Sequence, residues 1–309
     1  MAVSALDRVL ISTGSLKESL AFYRDWVGLE VAAEGYRITA DINALWRTRA
    51  DAARFALLAM KGHHTLVELV EFSSGSKEFI RDGGNATDYG TYDIAFSVQD
   101  IEGIYQELTR RRYSFVSQPQ EYQPPWLPVT VKETILIGPD NVHIAHLERM
   151  TPDRQKGPKY LRFLDTAQVV ASTDEALRFY CGTLGLKAQQ PVTLPRGPVS
   201  RVLGLPADSD VKLTFSGDPA GRSVMVEFLE SSARGKPLAG RSRPPNRGIF
   251  ALSFEVDNLS STLADCARAR VEILSKPLET TIPDRGKATA ATVIGPSGVM
   301  VELFEKKSV

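Results

Sequence analysis

The chain has 309 residues, 37 basic against 37 acidic side chains, and 43% hydrophobic residues. A balanced charge leaves no field to gather nucleic acid or an anionic membrane surface, and no apolar run reaches the roughly 18 residues of a membrane-spanning helix. The length suits two hydrophobic cores. The opening MAVSALDRVL has no basic leader before an apolar stretch, so a cytoplasmic protein is expected, with Cys181 and Cys266 as reduced thiols.

In chain order, residues 6–13 alternate as a strand packed on one side. Ser15, with Glu18 three residues later, marks a helix start. Leu16, Leu20, Phe22 and Tyr23 follow with helical spacing until Gly28 ends the helix. Strands are expected at 30–33, around 40–48, at 55–59 and at 66–71. The order then repeats: a strand at 91–98, a helix at 101–111 capped by Asp100, and a strand at 113–117. A Pro-rich hairpin region at 118–128 and strands at 129–137 and 142–148 complete the second unit. Polar residues 149–159, broken by Pro and Gly, read as a linker. A third unit opens at 164–172 with a helix at 173–185.

Phrases recur about half a chain apart. AFYRDWVGL (21–29) is echoed by RFYCGTLGL (178–186), IAFSV (94–98) by LSFEV (252–256), and ILIGPD (135–140) by TVIGPS (292–297). Three matched phrases in one order indicate an internal duplication in which each half is a pair of modules. The connections 73–90 and 231–248 match as well. The second, rich in Arg, Gly and Pro, suits a solvated loop better than a gate for phosphate or carboxylate.

Repeated units of strand, helix and three strands carry a resemblance. They are opened by Leu6-Asp7-Arg8-Val9 and Ala21-Phe22-Tyr23, echoed by Leu164-Asp165-Thr166 and Leu177-Arg178-Phe179-Tyr180, and closed by GPSGVMVELFE (295–305). This pattern resembles the glyoxalase / bleomycin-resistance / extradiol-dioxygenase superfamily, also called vicinal oxygen chelate. The resemblance implies an α+β fold of four βαβββ modules paired into two domains with cup-shaped mixed sheets. The first domain is expected at 1–150 (modules 1–89 and 90–150), the linker at 151–160, and the second domain at 161–309 (modules 161–247 and 248–309).

In such families metal ligands come from the opening and closing strands of each module. By that resemblance the opening positions are Arg8, Asp93, Thr166 and Ala251, and the closing positions Glu68, Ala145, Glu227 and Glu302. The first cup is then expected to hold Arg8, Glu68, Asp93 and Ala145, with His143 on the same face. A guanidinium at a ligand position supplies positive charge instead of binding a cation, and pairs with Glu68 or Asp93. The second cup is expected to hold Thr166, Glu227, Ala251 and Glu302, with Gln168, Ser253 and Glu255 nearby. All four histidines, His63, His64, His143 and His146, lie in the first half, so an iron triad with two imidazoles has no ligands in the second. His146 is out of register with the inward row and reads as a surface or interface residue.

Three functional readings follow. The first is a metal-independent enzyme acting by proton transfer on a small oxygenated, cyclic or aromatic metabolite, through isomerisation, elimination or ring rearrangement. Its catalytic residues are His143, Asp93, Glu68 and Arg8, with Tyr113, Tyr122, Trp126 and Gln168 binding substrate. The rings suit interdomain packing equally. The second is a non-catalytic binding or resistance protein. The third is a lyase, isomerase or dioxygenase with a divalent ion at Glu227 and Glu302, or at His64, Glu68, Asp93 and His143. No cofactor is expected on the first reading. The expected partner is a small molecule, not nucleic acid or membrane, and the chain is expected to be a monomer or homodimer. No glycine pattern supports nucleotide binding.

Overall fold

The computed structural model describes residues 4–83, 86–150 and 157–307. Module one comprises β1 (Ser4–Thr13), α1 (Leu16–Tyr23), β2 (Glu30–Tyr36), α2 (Thr39–Trp46), β3 (Ala53–Ala59) and β4 (Leu66–Phe72). Module two comprises β5 (Gly90–Val98), α3 (Ile101–Arg110), β6 (Ser114–Phe115), β7 (Gln120–Tyr122), β8 (Val131–Ile137) and β9 (His143–Arg149). Module three comprises β10 (Tyr160–Val169), α4 (Thr173–Tyr180), β11 (Lys187–Ala188), β12 (Val192–Thr193), α5 (Pro198–Val202), β13 (Val211–Gly217) and β14 (Met225–Ser231). Module four comprises β15 (Gly248–Val256), α6 (Leu259–Arg268), β16 (Glu272–Ile273), β17 (Leu278–Ile282), β18 (Gly286–Ile294) and β19 (Met300–Lys306). Most of the expected linker, residues 151–156, lies outside the described residues, and Tyr160 already belongs to β10.

Local chemistry accounts for the helix ends. The Ser15 side chain accepts from the Glu18 amide at the start of α1, and the Asp100 side chain accepts from the Gly103 amide at α3. The last glutamate of three closing strands has the same task. Glu148 accepts from the Asp100 and Ile101 amides at 3.0 Å, Glu230 from the Thr173 amide at 2.8 Å, and Glu305 from the Leu259 amide at 2.7 Å. A carboxylate there meets unpaired N–H groups and the positive end of the helix dipole. The final Glu of the recurring phrase is therefore a structural residue.

The expected strand around 40–48 is corrected: it is the helix α2. Ile42, Leu45 and Trp46 are its buried residues, at the three- and four-residue spacing of one helical face.

Two mixed sheets form. The first has nine strands in the order β16-β18-β19-β15-β1-β4-β3-β2, with β17 on β18. The second has ten, in the order β11-β13-β14-β10-β5-β9-β8-β6, with β12 on β13 and β7 on β8. The expected pairing of modules is thereby corrected. Module one shares its sheet with module four through antiparallel β1 and β15, and module two shares with module three through β5 and β10. Four similar opening strands offer several antiparallel partners, and sequence adjacency does not select among them. The connections 73–90 and 231–248 run beside each other: Arg247 N donates to Glu78 O and Leu238 N to Tyr89 O. The Arg241 guanidinium donates to the Phe79 carbonyl at 2.6 Å, so an arginine of the second connection braces backbone.

One large core lies against the helices and draws Phe22, Tyr23, Phe179 and Tyr180 together with Phe96, Phe228 and Phe254 of both sheets. His146 belongs on this side. It is fully buried, with Nε2 3.0 Å from the Tyr160 hydroxyl, and not at a surface. Being out of register with the inward row placed it on the helix side of the sheet, which is equally covered. The opposite faces carry separate clusters, around Leu10, Trp46 and Phe304 in the first sheet and around Ala145, Val199 and Leu229 in the second. Among the described residues, no helix is long and apolar enough to cross a membrane.

Candidate functional site

In the first sheet, period-two alternation brings Arg8, Glu68, Ser253 and Glu302 to the face away from the helix-side core, all fully buried. Arg8 donates to Glu68 at 2.8 Å, to Asp7 at 2.6 Å and to the Pro283 carbonyl at 3.0 Å. Burial alone would lower the Arg8 pKa; Asp7 and Glu68 raise it instead and keep the guanidinium charged. Arg37 adds a second cation 3.3 Å from Glu68. Glu302 accepts from Trp46 Nε1 and from the Ser253 hydroxyl, each at 2.8 Å. The Trp46 ring packs 5.1 Å from that of Phe250. This face is filled and its charges are paired.

The second sheet differs. Strand register places Asp93, Ala95, Glu133, Ala145, Asp165 and Glu227 on one face, around a cavity of about 60 Å³. Tyr122, Trp126 and Phe215 add aromatic walls, and Val199, Val202 and Leu203 from α5 and its end add an apolar one. Among the described residues, no Lys, Arg or His lines it. Gly197 (φ 79°) and Gly204 (φ 63°) flank α5, both in the left-handed region that glycine adopts without strain.

Four carboxyl groups without a lining cation cannot all ionise. Burial pushes Glu133 up to about 7, against a hydrogen bond from the Tyr122 hydroxyl that acts to lower it. Asp165 is likewise pushed up to about 7 by burial, against a hydrogen bond donated by the Glu227 carboxyl that acts to lower it. Burial, then Asp165, holds Glu227 and Asp93 well above the carboxylate range. Oδ1 of Asp165, on a residue only 7% exposed, has no hydrogen-bond partner.

The expected site residues are divided between the two sheets. Arg8 and Glu68 meet as expected, but in the first sheet, whereas Asp93 and His143 are register partners in the second. His143 is buried and stacks on Tyr92 at 4.9 Å instead of lining the cavity. Glu227 and Glu302 are likewise in different sheets, and His64, Glu68, Asp93 and His143 do not gather. Tyr122 and Trp126 line the cavity. Tyr113 packs on Phe22 at 5.4 Å in the helix-side core, and Gln168 donates to the Tyr180 hydroxyl at 2.6 Å on that same side.

The opening position of module three is Asp165, not Thr166. A bulge shifts the β5–β10 register so that Asp165 faces Ala95, as Arg8 faces Ser253 in the first sheet. Glu133 went unread, although its alternation with Ile135 along β8 was a usable signal. The apolar wall from α5 had none, because a five-residue helix leaves too little periodicity.

The metal positions of the resembling families can be tested on these side chains. In the first sheet Arg8 already fills one and is bonded to Glu68, so a cation does not fit. In the second, Asp93, Asp165 and Glu227 offer only oxygen, the donor set of a hard cation. Their donor atoms do not converge. Among the described residues, the one set with a donor atom apiece within 4.8 Å of one another is Asp7, His64 and Glu255. That trio could hold a divalent ion, although Asp7 already accepts from Arg8 at 2.6 Å and from Arg285 at 2.7 Å.

The model of the glyoxalase/bleomycin resistance protein/dioxygenase superfamily matches residues 5–124 and 162–303. Glyoxalase I from Zea mays is similar in structure, with 13% identity, a TM-score of 0.65, and coverage of 98% of this chain and 93% of that one. A point mutant of the same maize enzyme gives 12% identity, a TM-score of 0.66 and the same coverage. A second mutant gives 13%, 0.61, 98% and 94%. At this identity the likeness concerns the fold alone. No curated protein sequence matches the chain. Two matched regions, together covering most of the 309 residues, establish that the chain belongs to the glyoxalase/bleomycin resistance protein/dioxygenase superfamily.

Proposed function

We propose that the cavity of the second sheet is the working site, and that it moves protons on a small oxygenated molecule without a resident metal. The observation that carries this is the set of four carboxyl groups, Asp93 and Asp165 buried, Glu133 and Glu227 partly buried, on the wall of one cavity with no cation among its described lining residues. Such groups exchange protons near neutral pH, which suits general acid–base work.

Glu133 is the base. With a pKa of about 7 it is partly ionised at neutral pH, and the Tyr122 hydroxyl holds one of its oxygens in place. It takes a proton from a carbon beside a carbonyl. Glu227, kept protonated by burial and by Asp165, is the acid and delivers a proton to the carbonyl oxygen. The sum is a proton shift with no net change in atoms, as in an isomerisation. Apolar walls from α5, Leu213 and Leu229 exclude water and strengthen both transfers. At about 60 Å³ the cavity holds only a few heavy atoms, so a larger ligand requires Trp126 or α5 to yield.

The test is deuterium exchange from solvent into a panel of small α-hydroxy ketones and aldehydes, followed by proton NMR after exhaustive chelation. Exchange should persist in chelator and fall at least about 100-fold in Glu133→Gln. Equal exchange in that variant, or none in the parent protein, would overturn the proposal.

A further inference from the structure

The ligand's charge can be read from the same walls, and this step rests on the reading of that cavity as the working site. The cavity pairs carboxyl groups with aromatic rings and lacks any Lys, Arg or His. A ligand bearing carboxylate or phosphate would face four acids with no compensating donor. An organic ammonium meets the opposite situation, an acidic wall and ring faces together. A separate feature identifies the contact atom. Oδ1 of Asp165 is buried without a hydrogen-bond partner, an arrangement that is unfavourable unless a ligand or water satisfies it. Trp126 and Phe215, with rings 5.8 Å apart and nearly perpendicular, stand on the same cavity. Trp126 is 40% exposed and therefore sits where a ligand would enter.

We propose that this cavity selects a small organic amine in its protonated form, its N–H group donating to Oδ1 of Asp165 and its apolar body lying against the rings of Trp126 and Phe215. Asp165 is then the anion that offsets the ligand's charge, Glu227 retains its proton, and Glu133 stays free to act as a base. The first sheet has no such capacity: Arg8 stands at the position equivalent to Asp165, bonded to Glu68.

The experiment compares benzylamine, benzyl alcohol and benzoate, three molecules of similar size, by calorimetric titration of the full chain at neutral pH. Benzylamine is expected to bind at least about 10-fold more tightly than benzyl alcohol, with benzoate undetected. Asp165→Asn should remove that preference, bringing amine binding down to the level of the alcohol in the same variant. Because Asp165 is buried, Trp126→Ala serves as a second variant, expected to weaken the amine several-fold more than the alcohol. Equal binding of amine and alcohol, preference for benzoate, or no binding by any of the three overturns the inference. Alcohol binding without amine preference, together with Glu133-dependent deuterium exchange, would leave the proton-transfer reading standing while this one fails.

Discussion

The two sheets place acids at corresponding positions but meet different chemical ends. In the first, the opening strands present Arg8 and Ala251, Glu68 is ion-paired with Arg8 and Arg37, and Glu302 accepts from Trp46 and Ser253. In the second, the opening strands present Asp165 and Asp93, Glu133 joins Glu227, and the wall carries no cation. The segments covering the two faces differ in the same sense: α2 inserts Trp46, whereas α5 offers Val199 and Val202 beside a cavity. One inherited frame therefore holds a packed, charge-balanced face and a hollow, charge-frustrated one. Buried charge stabilises only where it is paired, and a protein retains unpaired acids at a cost to its stability.

The largest effect that could break this comparison is in the first sheet. Arg8→Met should lose about 3–5 kcal/mol in urea denaturation, because Glu68 and Asp7 stay buried with a principal partner gone. Glu227→Gln in the second sheet should instead keep or raise stability at alkaline pH. If both variants lost the same amount, the proposed division of roles would be wrong. Trp46→Phe should cost about 1–3 kcal/mol, since the ring nearly fits but Glu302 loses its indole donor.

The pH profile sharpens the contrast. Glu133 and Asp165 titrate near 7 when folded and near the ordinary carboxylate range when unfolded. Between those limits the folded state binds more protons. Their stabilising contribution is thus complete at acid pH and lost as pH rises through about 7, with a slope of about 1.4 kcal/mol per pH unit for each group. Urea midpoints taken from about pH 5 to about pH 8 should fall, and Glu133→Gln should flatten the decline. A flat parent profile would mean that the acids find counterions. The smallest effect is expected at the entry: Trp126→Ala should change thermal stability by less than about 1 kcal/mol, because this side chain is 40% exposed.

Much of the local structure was legible. Ser15 and Asp100 as helix caps, the recurring A-x-x-F-Y pattern as a helix face packed on the sheet, and the inward row through Arg8, Glu68, Asp93 and Ala145 all depend on spacing along a few residues. Two positions depart from the expected reading for separate reasons. The Leu-Asp phrases align Thr166 with Arg8, whereas strand pairing aligns Asp165 with it, the two phrases being offset by one residue. Residues 40–46 form a helix because a short apolar run serves either element and packing selects between them.

By itself, then, the sequence determined a duplicated α+β chain, the faces of its closing strands, and the superfamily to which it belongs, because periodicity and repeated phrases are properties of neighbouring residues. Tertiary structure decided which modules share a sheet, and hence that Arg8 and Glu68 share a face with Glu302 while Asp93 lines one cavity with Asp165 and Glu227. Strand pairing across a hundred or more residues depends on the competition among similar edges, and that competition is settled only when the whole chain packs.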